Sequence, residues 1–104
     1  IEDVDAMLDY FHYPVKRYHR TYKVSRVKLK RMLQDALDNA EPYHLLKPDL
    51  QSATTTFDGR QYEVTLPATY EYGSKGVIKN VASKRLRLKY IFNKQLEITA
   101  AYEM

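Results

Sequence analysis

The side chains able to do chemistry in this 104-residue chain are histidines, carboxylates and a concentration of cations. His12, His19 and His44 lie 7 and 25 residues apart, so no pair has the i, i+4 interval that clamps a metal on one helix face. The absence of cysteine excludes disulfides and thiolate chemistry and disfavours a structural zinc site; no cofactor is implied. His12, between Tyr10 and Tyr13, is a candidate for the rim of a pocket. General-base catalysis needs a carboxylate within hydrogen-bond reach of a substrate proton. Glu63, Glu71, Glu97 and Glu103 all fall on the outer register of strand-like stretches, opposite in phase to the apolar residues. No residue is assigned a catalytic role.

Two polar residues do share the inner register. Asn80 and Lys84 are in phase with Leu86 and Leu88 and lie beside Tyr70 and Tyr72 if the even register holds throughout. A buried lysine is costly unless paired, so Lys84 is a candidate anion-binding group. A bulge between Val81 and Leu86, or a strand end overhanging the helices, would return it to water. Residues 16–31 hold eight of the 17 Lys and Arg residues and no acid. Lys16, Arg17, Arg20 and Lys23 alternate with aromatics, and Arg26, Lys28, Lys30 and Arg31 continue the run. Bases could stack on tyrosine while the cations meet phosphates. The helical part of this run is the wet side of an amphipathic helix, however, and no nucleic-acid motif is present. A solvated charged face is the better reading.

The elements that must position these residues follow from periodicity. Val77 to Tyr102 reads as a hairpin, with Leu86, Leu88, Tyr90, Phe92, Leu96, Ile98, Ala100 and Tyr102 on one face. A loop of Asn93-Lys94-Gln95 would pair Phe92 with Leu96, Tyr90 with Ile98 and Leu88 with Ala100, and set Arg85 opposite Glu103. Asp58-Gly59 predicts a second hairpin between residues 50–57 and 60–72, with Thr55 opposite Tyr62 and Ala53 opposite Val64. Gly73 to Gly76 turns the chain between the two hairpins. Ahead of the strands, Val4, Met7, Leu8 and Phe11 form one stripe of a helix over residues 2–11. Pro14 introduces a corner and a short helix. Ser25 is placed to cap a longer helix over residues 26–39, whose apolar side holds Leu29, Met32, Leu33, Ala36 and Leu37. Asn39 and Pro42 end it, and Tyr43 to Lys47 is a short lead-in to the strands.

The chain suits one domain, residues 1–104, with 44% hydrophobic and 29% charged residues. Ten tyrosines without tryptophan suit half-open sheets and pocket walls. No stretch approaches a transmembrane segment or a signal peptide. The lack of cysteine and of a starting methionine leans towards an exported, trimmed protein and leaves the compartment unknown.

The entry helix leading into Tyr10-Phe11-His12-Tyr13-Pro14-Val15-Lys16-Arg17-Tyr18, the Ser25–Asn39 helix and the closing Leu96-Glu97-Ile98-Thr99-Ala100-Ala101-Tyr102 resemble the nuclear transport factor 2-like (SnoaL-like) domains of the cystatin-like fold. The resemblance implies an α+β cone, its N-terminal helices packed on the concave face of a curved four-stranded antiparallel meander sheet. A pocket would open at one end, and Tyr10, Tyr13, Tyr70, Tyr72, Asn80 and Lys84 are its candidate lining, with His12 at the rim. Enzymatic members, isomerases and dehydratases, hold a carboxylate base in the cone, and no residue here matches it. The expected function is a non-enzymatic module binding a small molecule or a protein, such as an accessory domain of a longer or exported protein. The alternatives are an isomerase- or dehydratase-like enzyme using the cone, and a nucleic-acid binder working through Lys16, Arg17, Arg20, Lys23, Lys30 and Arg31. Family members commonly dimerise through the outer sheet face. That face is rich in Thr, Glu, Arg and Lys here, which leaves room only for a polar homodimer.

Overall fold

Period-two patterning on both sides of residues 74–81 builds the longest ribbon of the molecule. A computed structural model describes residues 4–38, 43–73 and 82–104. The elements in chain order are α1 (Val4–Leu8), β1 (Val15–Tyr18), β2 (Thr21–Val24), α2 (Arg26–Asp38), β3 (Tyr43–Pro48), a 3-10 turn (Leu50–Ser52), β4 (Thr54–Phe57), β5 (Tyr62–Gly73), β6 (Ala82–Phe92) and β7 (Ile98–Glu103). The β5–β6 ribbon pairs Tyr62 with Phe92, Leu66 with Leu88 and Tyr70 with Lys84, so even residues face even residues as the pattern requires. Asn80 and the expected turn over Ser74 to Gly76 lie outside the described residues, as do the expected helix-ending Asn39 and Pro42.

Among the described residues the sheet has seven strands, ordered β2-β1-β7-β6-β5-β3, with β4 also on β5. It is mixed, because β1 runs parallel to β7, Arg17 opposite Ala100 and Tyr18 opposite Ala101. The four-stranded meander is thus too small a sheet, and the short helix after Pro14 is a hairpin. Val15 and Val24 pair across that hairpin, both 0% exposed. A β-branched pair inside a sheet and a free edge of β7 outweigh the helical tendency of Lys16 and Arg17. Tyr18 pairs with Thr21, so His19 and Arg20 form a two-residue turn. His19 takes a positive φ of 53, in the region that histidine tolerates better than most residues.

The parallel seam also shortens α1, expected over residues 2–11. The Ile98 N–H donates to the Tyr10 carbonyl (2.7 Å) and the His12 N–H to the Ile98 carbonyl (2.8 Å), which draws Phe11 out of the helix. Ser25 does cap α2: its hydroxyl oxygen accepts from the Lys28 N–H at 3.2 Å.

Both hairpin turns are longer than expected, and a side chain lengthens each. One Asp58 carboxylate oxygen accepts from the Arg60 and Gln61 N–H groups at 2.8 and 2.9 Å. Phe57 therefore meets Tyr62 and Thr55 meets Val64, in place of the expected Thr55–Tyr62 pair. The Asn93 side-chain oxygen likewise accepts from the Gln95 and Glu97 N–H groups at 3.0 and 2.9 Å, so Phe92 meets Ile98 instead of Leu96. A bulge then inserts Thr99, whose hydroxyl donates to the Ile91 carbonyl at 3.2 Å. Beyond it Tyr90 faces Ala101 and Leu88 faces Glu103. The bulge turns Ala101 and Glu103 to the inner side and Tyr102 to the outer side, the reverse of the expected register. Lys89 pairs on the outer side with Glu63 at 3.1 Å.

Pro67 sits where the neighbour of β5 changes from β3, ending at Pro48 opposite Ala68, to β4, starting at Thr54 opposite Thr65. A residue without an N–H fits such a break. Among the described residues, apolar burial falls into two clusters. Val4, Leu8, Val15, Val24, Leu29 and Leu33 join the helices to β1 and β2. Leu66, Ala68 and Leu88 form the second on the central sheet, with Tyr90 packed at its margin.

Candidate functional site

The two clusters do not close on each other, and a cavity of about 220 Å³ lies between them. Met7, Phe11, Tyr18 and Leu33 line it from the first cluster's side, Leu88 and Tyr90 from the second's. Phe11 stands edge-on to Tyr18 with ring centres 6.1 Å apart, which fixes that wall. Burial raises the Tyr18 and Tyr90 phenols above their ordinary range, and each ring's nearness to the other adds to this at Tyr18. Both hydroxyls therefore stay protonated and can donate. Among the described lining residues there is no Asp or Glu.

His19 and Tyr10 line the same cavity while keeping solvent access. Crowding around the His19 imidazole lowers its pKa, opposed by the Glu103 carboxylate and aided by Arg17. The ring is neutral at pH 7, with one nitrogen to donate and one to accept. His19 also borders a second recess of about 280 Å³, formed with Arg17, Arg20, Lys84, Glu103 and Met104. Lys84 Nζ lies 3.7 Å from Glu103 Oε1 there, a contact that exists because the Thr99 bulge turned Glu103 inward.

The residues singled out from sequence are distributed as follows. Tyr10 lines the cavity, 66% exposed. Tyr13 packs against the first cluster, its hydroxyl donating to the Leu8 carbonyl at 2.6 Å, and Arg26 lies over its ring. Tyr70 is half-buried on β5 opposite Lys84, and Lys84 lies in the polar recess with a side chain 59% exposed. The Tyr72 backbone pairs with Ala82; its side chain and Asn80 lie outside the described residues. His12 is exposed, its Nδ1 3.4 Å from Glu97. Tyr10 and Lys84 thus border separate recesses that share His19.

The basic run is divided by the fold. Lys30 and Arg26 on α2 meet Asp5 and Asp9 of the α1 region at 3.1 and 3.0 Å. Arg17 is stacked on Tyr102, 4.0 Å from the ring centre, and donates to the His19 carbonyl at 2.7 Å. Lys16, Arg20, Lys23 and Arg31 are exposed or project to solvent without an ion pair among the described residues. No group of three or more His, Cys, Asp or Glu is placed to hold a metal among the described residues. No described helix is long and apolar enough to cross a membrane.

Sequence reasoning missed Tyr18, His19, Leu33, Tyr90 and Glu103 as site residues. The register of Leu88 and Tyr90 contained the signal for two walls of the cavity. Tyr18 and His19 were hidden by the helical reading of residues 14–18, and Glu103 by the bulge.

Helices entering first, a curved mixed sheet, and an apolar cavity between the two define the class: this is the nuclear transport factor 2-like α+β fold. Two solved structures carry that assignment. One, described as "Rd1NTF2_04 with long sheet", superposes with a TM-score of 0.60 at 13% identity, covering 98% of this chain and 85% of its own. The other is the beta subunit of the benzoate 1,2-dioxygenase from Burkholderia mallei, with a TM-score of 0.59 at 14% identity, covering 96% of this chain and 75% of its own. At such identities the likeness is one of fold. No family model matches the sequence, and no curated protein matches it.

Proposed function

We propose that residues 1–104 form one ligand-binding domain that takes a small, largely apolar molecule into the cavity between the two clusters. The observation that carries this reading is the cavity itself, about 220 Å³ and walled by aromatic and aliphatic side chains. An apolar cavity of about 150 Å³ is enough to hold benzene. The space here suits a substituted ring or a short branched chain. Tyr18 and Tyr90 add phenol donors at the wall, which would orient a ligand oxygen or nitrogen.

The test is a titration with indole, followed by thermal unfolding and by amide shifts. Binding to the folded state alone raises stability by about 2.7 kcal/mol at a ligand concentration 100 times Kd. The expected result is a rise in Tm with indole concentration and shifts centred on Tyr18, Leu88 and Tyr90. Leu33→Trp, which places a ring in the cavity, should fold and abolish both effects. An unmoved Tm, with shifts scattered over the surface, would overturn the reading.

A further inference from the structure

The apolar cavity and the polar recess meet at one side chain. His19 lines both, held at the tip of the β1–β2 turn by its N–H bond to the Ala101 carbonyl (2.8 Å). On one side of it lie Tyr18, Leu88 and Tyr90; on the other lie Arg17, Arg20 and Lys84, with Glu103. Three cationic side chains face one carboxylate in the recess, an excess of positive charge beside an apolar space. Among the described residues Arg20 has no ion pair, and the one ion pair of Lys84 is its 3.7 Å contact with Glu103. That contact is informative, since it shows a carboxylate oxygen already drawn to Lys84 at this place.

We propose that the ligand of this domain is an amphipathic anion, with its apolar body in the cavity and its oxyanion, passing His19, on Arg20 and Lys84. The inference rests on the cavity reading above and adds the ligand's charge and direction to it. The neutral His19 ring would donate one hydrogen bond to the oxyanion at the boundary. Arg17 would act from behind, since its guanidinium is stacked on Tyr102. Glu103 is the internal competitor for Lys84.

Calorimetric titration of the whole chain with 4-phenylbutyrate and its uncharged counterpart 4-phenylbutanol separates the two readings. A charge-assisted hydrogen bond contributes about 1.5–3 kcal/mol, so the acid should bind about tenfold or more tighter than the alcohol. The double variant Arg20→Gln/Lys84→Gln should remove that difference. Glu103→Gln should tighten the acid alone, an effect that loss of folding cannot mimic. Equal affinities for acid and alcohol, or an acid preference that survives the double variant, would overturn the inference and leave the cavity reading standing. Failure of both compounds to bind, together with an indole-insensitive Tm, would overturn the two readings together.

Discussion

His19 combines a backbone that few side chains adopt with a ring that stands between two environments. The groups facing its imidazole are Tyr18, whose ring centre lies 4.5 Å away edge-on, and Arg17, Arg20, Lys84 and Glu103 around the recess. Crowding makes the imidazolium unfavourable there, with Glu103 in opposition and Arg17 in support. The folded pKa is therefore below the unfolded value near 6.5, and the unfolded chain binds the proton more readily. Stability from this site is complete above pH 6.5 and declines as the pH falls towards the lowered folded value. Urea midpoints measured from pH 7.5 to 5.5 should fall with acid in the natural chain and fall less in His19→Gln. Equal slopes in the two proteins would show that His19 does not carry the dependence.

At the scale of elements, residues with paired backbone roles decide where strands and helices start. Ser25 caps α2 through its hydroxyl, so Ser25→Ala should lower stability by about 1 kcal/mol without altering the denaturant slope, measured by urea unfolding. That cap, the inward-facing Leu29 and Leu33 of α2 and the β5–β6 pairing were all legible, because each follows from local chemistry or from a long uninterrupted period, whereas Ala36, expected on the same side of α2, is exposed. The registers of the two short turns were not. Asp58 and Asn93 each bind two backbone N–H groups, and a side chain that replaces a turn's own bonds lengthens the loop with no change in hydrophobic pattern. The β1–β2 hairpin escaped notice for a different reason: its parallel partner, β7, lies at the far end of the sequence. The candidate site was legible only in part, since Tyr10 was found by its place in the entry corner while Tyr18 and Glu103 depended on long-range pairing.

For the whole molecule, the division of the core into two clusters sets stability against binding. A cavity forgoes the contacts that a filled interior would make. Ala101, 5% exposed on β7, lines the cavity from the sheet side. Ala101→Val adds two carbons to that space at a strand position where a β-branched residue is favoured. It should raise unfolding free energy by about 0.5–1 kcal/mol and weaken indole binding, as cavity-filling changes do. Thermal unfolding with and without indole checks both effects on one sample. A variant that gains stability and still binds indole equally well would place the ligand elsewhere.

The parallel seam between residues 11–18 and residues 98–101 has a consequence for how the protein is made. Tyr10 and His12 bond to Ile98, and Arg17 and Tyr18, already paired with β2 on one side, find their second sheet partners in Ala100 and Ala101. During synthesis the ribosome delivers α1, β1 and β2 long before that strand exists, at about 5–20 residues per second. For several seconds the opening segment must wait with Val15 and Val24 sheltered by α1 and α2 and the outer edge of β1 bare. The order of manufacture thus leaves an aromatic, hydrogen-bonding edge temporarily available to whatever is nearby, until β7 emerges to seal it.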